Sequence, residues 1–283
     1  MFPQDLRVFA SLWYDGANLI ANRFADAYNI SLEQSSAILA VNSPQKDWYM
    51  NVALAERTMH IYTARQGYVF DSSMANSFLK RAGEPELKTD KNGNSYYEGN
   101  ATPVYDDEGN HATDSEGILQ FNNWDSQKAK DKRDKEAKIL NLGLRGKALK
   151  DIQPISFNFK GKKVSYSKEA LQARFVRMFS EATANTSFRD PKTFNVIRPD
   201  GAILDRPTLS DKGKPRSIAW GSYSTIEKSI RILEAPQDQE MESVSKELGL
   251  MHKVRSFYNN IADPSNSSGH VTMDTHAIAA LLL

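Results

Sequence analysis

Apolar residues recur at three- and four-residue steps through the first part of the chain. Over residues 6–28, Leu6, Phe9, Trp13, Ala17, Ile20, Phe24 and Ala27 share one face of an amphipathic helix. Ser31-Leu32-Glu33-Gln34 reads as a capping box, with Ser31 bonding forward and Gln34 bonding back. It starts a second, more apolar helix through Ile38, Leu39 and Val41. Pro44 disfavours helix at Ser43 and ends it. Asp47 can cap a third helix over 48–65, with Val52, Ala55, Met59 and Tyr62 facing inward.

The pattern changes between 83 and 123. Asn-Gly and Glu-Gly pairs flanked by Tyr and Val predict short β-hairpins there. Helical spacing returns over 126–143, and a β-like stretch over 155–167 turns at Gly161. A helix over 168–183 follows. Residues 185–217, rich in Pro, Gly and Asp, read as irregular. Helices are predicted again over 223–235 and 238–248, the latter stopped by Gly249 as a left-handed C′ residue. A helix over 252–262, a polar loop and an extended Val271-Thr272-Met273 lead to Asp274, which opens an apolar tail. No internal repeat is visible. The expected class is mainly α, interrupted by β-hairpin-rich insertions. Its segments are 1–82 (N-terminal helices), 83–123 (acidic hairpin-rich insertion), 124–151 (core helix), 152–217 (second insertion) and 218–283 (helical hairpin and Asp274).

Composition narrows the functional classes. The 283 residues are 40% apolar, enough for one large domain or two ordinary ones. A net charge of +1 argues for neither nucleic acid nor membrane. The average hides an asymmetry, however. Residues 71–125 hold eleven Asp/Glu against four Lys/Arg, whereas 126–175 hold fourteen Lys/Arg against five Asp/Glu. The basic block suits either a phosphate backbone or a solvated helix face. With no cysteine, disulfides, thiolate zinc sites, iron–sulfur clusters and a thiol nucleophile are excluded. The five histidines lack metal-site spacing, and glycine falls at the fourth position of Asp90–Asn94 rather than the sixth of a calcium loop, with no glutamate at the twelfth. No metal and no cofactor are expected. No apolar run is long enough for a bilayer, and the opening residues, with an acid at Asp5, do not read as a signal peptide. The expected setting is the cytoplasm, with no membrane partner.

Asp274 admits two readings from its residues alone. It, or Thr272, is an N-cap for the closing helix, or it is a catalytic carboxylate held at a helix start. The sequence around it, Met273-Asp274-Thr275-His276-Ala277, resembles the aspartate motif of the helix-hairpin-helix, endonuclease III-like superfamily of DNA glycosylases. Upstream, "LGLMHKVRSFYNNI" sits where that family has its hairpin, with Gly249 at the turn and Lys253 at the lysine position. Two earlier stretches match in the same order. "ILAVNSPQKDWYMNV" resembles the family's early helix and glutamine-bearing segment, with Gln45 at the glutamine. "LNLGLRGKALKDI" resembles an I-G-L-x-x-x-K-A segment through Gly143, Leu144, Lys147 and Ala148, with two residues in place of three between Leu144 and Lys147. The pair "SPQKDW" and "DTHA" also resembles uncharacterised phage-encoded proteins, which implies the cytoplasm of a host.

The resemblance implies a helix-hairpin-helix glycosylase-like helical fold and an enzyme acting on a plain or modified base flipped out of double-stranded DNA. Asp274 would be the carboxylate and Lys253 a possible amine nucleophile. Gln45 would fill the gap in the stack. Lys46, Lys147, Gly249, His252 and Arg255 would contact DNA, and Trp48 and His276 would border the base pocket. The chain departs from the family at Met251, where a second glycine is usual, and at Arg255, where alanine is usual. Two alternatives accompany the glycosylase reading: a phage base-hypermodification transferase on the same scaffold, and a non-catalytic DNA- or protein-binding module. The residue-level alternatives are a solvated Lys253, a satisfied core His276, Gln45 in a turn, and Trp48, Tyr49, Phe257 and Tyr258 as core aromatics.

Overall fold

The structure is a computed structural model that describes residues 4–44, 46, 48–90, 94–109, 112, 120–124, 126–182, 195–197, 203–207, 220, 222–250 and 252–265. It is mainly helical, with four small antiparallel hairpins among the described residues. The chain divides into two compact units. One comprises residues 1–64, 190–219 and 228–283, and the other 65–189 and 220–227.

The first unit is built around α2 (Leu32–Asn42), in which every residue from Gln34 to Asn42 is buried. Its capping box forms as the sequence predicts: the Ser31 hydroxyl accepts from Gln34 N at 2.9 Å, and Ser31 N donates to the Gln34 side chain at 3.2 Å. A helix buried on all sides must satisfy its polar side chains internally. Gln34 donates to the Ile232 carbonyl at 2.9 Å, and the Ser35 hydroxyl to the Ala21 carbonyl at 2.8 Å. Asn42 donates to the Ile38 carbonyl at 2.9 Å and to the Ser229 hydroxyl at 3.3 Å. Packed around α2 are α1 (Gln4–Tyr28), α3 (Trp48–Ala64), α7 (Tyr223–Glu234, from Lys228 on), α8 (Glu240–Leu248) and α9 (His252–Ala262). Ala17, Ile20, Ala21 and Phe24 carry the described inner face of α1, but Ala27 is exposed, and Tyr28 takes the last inward turn. Along α3, Val52, Ala55, Met59 and Tyr62 are buried as their spacing predicts.

The supposedly irregular stretch 185–217 contains a hairpin, β7 (Asn195–Ile197) with β8 (Ile203–Pro207). The β-branched pairs Val196-Ile197 and Ile203 flank Pro199-Asp200-Gly201, a turn sequence in its own right.

The second unit holds two small hairpins in the acidic segment: β1 (Leu87–Thr89) with β2 (Ser95–Tyr97), and β3 (Thr102–Pro103) with β4 (Phe121–Asn122). Before them comes α4 (Ser72–Arg81), a helix the sequence reading omits. Asp71 caps it by accepting from Met74 N at 2.9 Å. The basic helix α5 (Ser126–Ile139) continues into a π-helical turn, Leu140–Leu144. There Gly143 is needed for space: a Cβ would lie 3.0 Å from Leu171 Cδ2 and 3.2 Å from Ile155 Cδ1. The β5 (Ile155–Phe159) and β6 (Lys162–Tyr166) ribbon turns through Lys160 and Gly161, both at positive φ. α6 (Lys168–Ala182) completes a core of Phe70, Phe78, Leu140, Leu171 and Phe175.

Candidate nucleic-acid interface

The helical hairpin predicted near the chain's end is formed. α8 stops at Leu248, and Gly249 N donates back to the Ser245 and Lys246 carbonyls at 3.2 Å each. Gly249 has φ 63° and ψ −150°. This is not the left-handed helical residue expected from the sequence, because ψ is extended and the chain leaves α8 outward. The region is accessible essentially to glycine alone. Nothing crowds its Cβ position, so the residue is fixed by backbone conformation and not by space.

α9 begins two residues later, with His252 and Lys253 exposed and no acid in its first turn. A helix N-terminus flanked by these side chains and free of acids in its first turn favours anions. Arg255 folds back across the turn. Its Nε donates to the Gly249 carbonyl, and one terminal nitrogen donates to the Ser245 carbonyl at 2.8 Å and the Ser245 hydroxyl at 2.9 Å. The guanidinium thus occupies the Gly249 carbonyl and gives the Ser245 carbonyl a second donor beside Gly249 N. This clasp has no signal in the sequence, since nothing in the spacing tells an arginine facing back from one facing solvent.

The hairpin sits on a firm base. Arg231 makes a two-pronged bond to Glu247, at 2.7 Å and 3.1 Å. Asn18 donates to the Ile261 carbonyl at 2.7 Å, tying α1 to α9. Beneath α9, Phe257 meets Trp13 at 5.6 Å and Trp48 at 6.2 Å between ring centroids, and Trp13 meets Trp48 at 4.9 Å. Trp48 is therefore packed in an aromatic cluster, half-buried. At the adjacent position, burial pushes the Tyr258 phenol up to about 12, with Glu33 and Glu240 adding to the effect.

The remaining candidates divide as follows. Lys46 is half-buried just before α3, its N–H donating to the Ser43 carbonyl at 3.2 Å. Lys147 belongs to the second unit, where its ammonium caps the π-helical turn by donating to the Leu142 carbonyl at 2.8 Å. Gln45, Asp274 and His276 lie outside the described residues. Among the described residues, no three His, Asp or Glu side chains gather where a metal could sit, and no helix is long and apolar enough to cross a membrane.

The second unit presents the basic block as one surface. On α5, Lys128, Lys130 and Lys138 are exposed, and Lys160, Lys162 and Lys163 stand at the turn of the β5–β6 ribbon. Two acids of α5 are committed to partners. Glu136 is buried against Arg174 at 3.4 Å, and the partly exposed Asp131 is held below the usual carboxylate range by its bonds to Lys160 and Gln127. Glu98 shows the same compensation. Burial works to raise it, yet Lys132 at 3.0 Å and Lys88 at 3.5 Å outweigh that and hold it low.

Comparison with known proteins gives one finding: residues 5–92 match a family of unknown function, DUF7178. That span covers α1 to α4 and the first strand of the β1–β2 hairpin. No curated protein and no solved structure matches the chain.

Proposed function

We propose that this protein acts on DNA bases in the manner of a helix-hairpin-helix glycosylase, with Asp274 as the essential carboxylate. The observation that supports this reading is the α8–Gly249–α9 hairpin. It occurs where the resemblance calls for it, with a glycine-only turn and with Lys253 and His252 exposed on an acid-free first turn. Such a turn suits a DNA phosphate, bound through helix N–H groups and the two side chains.

In the proposed reaction the base is turned out of the duplex and Gln45 occupies the space it leaves. The N-glycosidic bond breaks as positive charge grows on the sugar. The Asp274 carboxylate stabilises that charge and can orient a water for attack. The Lys253 amine, if deprotonated beside the sugar, would attack the anomeric carbon instead as the base leaves, and opening of the sugar ring at its C1′–O4′ bond would then give a Schiff base. Lys46 would hold the backbone near Gln45.

A second reading, DNA binding without chemistry on the same scaffold, is favoured by Arg255. Its guanidinium is engaged by α8 carbonyls, so the hairpin has a fixed form that needs no ligand.

Asp274→Asn separates the two. Asparagine caps a helix about as well as aspartate, so stability should change by at most about 1 kcal/mol. Removing an electrostatic stabiliser of the transition state should lower base release on the order of 100-fold or more. The measurement is release of free base from plain and base-modified duplex DNA, alongside a binding assay and a melting curve. Full activity in the variant would overturn the catalytic role.

A further inference from the structure

The β5–β6 ribbon has two unlike faces. Ile155, Phe157, Phe159, Val164 and Tyr166 are half-buried and root the ribbon in its unit. Ile155 reaches the Gly143 turn, Phe157 stacks with Tyr166 at 6.4 Å, and Lys138 and Lys135 of α5 lie 5.5 Å and 5.7 Å over the Phe159 and Tyr166 rings. The other face is exposed. It consists of Ser156 paired across the strands with Ser165, and Asn158 paired with Lys163. The two serine hydroxyls lie 3.0 Å apart.

That outer face is odd for a merely solvated strand pair. Asparagine is depleted in strands, where threonine or valine would hold the ribbon better. Solvated surfaces ordinarily mix both signs of charge. Here no Asp or Glu occurs from Ile152 to Lys168. Every outward side chain on the paired strands is a short hydrogen-bonding group or a lysine. Lys160 and Lys162 flank the turn, and exposed Lys128, Lys130 and Lys138 line the helix behind it.

We infer that the β5–β6 ribbon is a major-groove reader, with its Ser156, Asn158, Lys163 and Ser165 face against base edges of duplex DNA. The inference rests on the DNA reading above. Size favours it: a ribbon of two strands about 4.8 Å apart, with side chains, fits a major groove about 12 Å wide and not a minor groove of about 6 Å. The major groove of duplex RNA is too deep and narrow for it. The chemistry agrees. An asparagine can take both N6 and N7 of adenine, a lysine can donate to O6 and N7 of guanine, and serine serves either. The basic tip and α5 supply the phosphate contacts that hold register.

The test uses the full chain and a 30-base-pair random duplex, with binding read by fluorescence anisotropy at roughly 50 mM salt, where backbone contacts are strong. Asn158→Ala with Lys163→Ala should weaken binding about tenfold, the low end expected for lost base contacts. A melting curve should match the parent, because both positions are exposed. Two arms use the unaltered protein. Glucosyl groups at the cytosine C5 position, which fill the major groove, should weaken binding, and an RNA duplex of the same sequence should bind poorly. Parent-like binding by the double variant, indifference to the glucosyl groups, or equal binding of RNA would each overturn the ribbon as reader while leaving a DNA-binding hairpin standing. Absence of any DNA binding by the parent would overturn both.

Discussion

Arg174 is the side chain whose charge is hardest to keep. It is fully buried in the second unit, with its guanidinium carbon 4.7 Å from the Tyr166 ring and 4.6 Å from the Tyr223 ring. Burial works against its charge, but Glu136 and the two tyrosines outweigh that, and the group is held more firmly protonated than usual. One terminal nitrogen also donates to the Ala170 carbonyl at 3.0 Å. Removing the carboxylate therefore leaves a charge with nowhere to go. Glu136→Ala should destabilise the protein by about 3–5 kcal/mol, the range for breaking a buried ion pair from one side. Replacing both partners with apolar residues, Glu136→Leu with Arg174→Met, should cost much less or nothing. Urea unfolding of the two variants checks this. Equal losses in both would mean that Arg174 acts through packing and not through its charge.

At the scale of elements, the N-terminus of α2 joins local and tertiary stabilisation. The Ser31 hydroxyl caps the helix by accepting from Gln34 N and donates to the Glu240 carboxylate of α8 at 2.6 Å. Ser31→Ala should cost about 1–2 kcal/mol, the upper part of the capping range, because the contact with Glu240 is lost too. A thermal melt measures it, and a loss near zero would show that water replaces both bonds. The cap itself was legible in "SLEQ", because capping is written in adjacent residues. So were α1, α3, α5, the β5–β6 turn at Gly161 and the helical hairpin at Gly249. What escaped follows from range. α4 is short, and its start, Asp71 accepting from Met74, was passed over in "DSSMANSFLKR". β7–β8 is hidden because the Pro, Gly and Asp residues around its short strands read as irregular. The ψ of Gly249, the clasp of Arg255 and the partner of Arg174 depend on neighbours that no local pattern names. Of the candidate site, Gly249, His252 and Lys253 were legible as one hairpin, while the setting of Trp48 among Trp13 and Phe257 depends on three separate helices.

For the whole molecule, net charge is a poor guide to its partners. A value of +1 predicts indifference to polyanions. Yet some acids near the basic block are committed: Glu136 is buried with Arg174, Asp131 bonds Lys160, and Glu98 holds Lys88 and Lys132, whereas Asp134 and Asp151 stay exposed. These pairings neutralise part of the block but leave Lys128, Lys130, Lys138, Lys162 and Lys163 exposed, with no ion pair among the described residues for Lys162 or Lys163. A strand of phosphates meets that local surface and not the average. If the four lysines outside the base-reading face, Lys128, Lys130, Lys138 and Lys162, displace counterions from duplex DNA, log affinity should fall against log salt with a slope of roughly −3 to −4, which is on the order of a 100-fold loss between about 50 and 200 mM. Reversing Lys130 and Lys162 to Glu should flatten that slope by about two, while Asp274→Asn should leave it unchanged. The measurement is an anisotropy titration at four salt concentrations. A flat slope for the parent would assign the basic block to solvation, and would move the protein from a DNA-acting role to binding another protein.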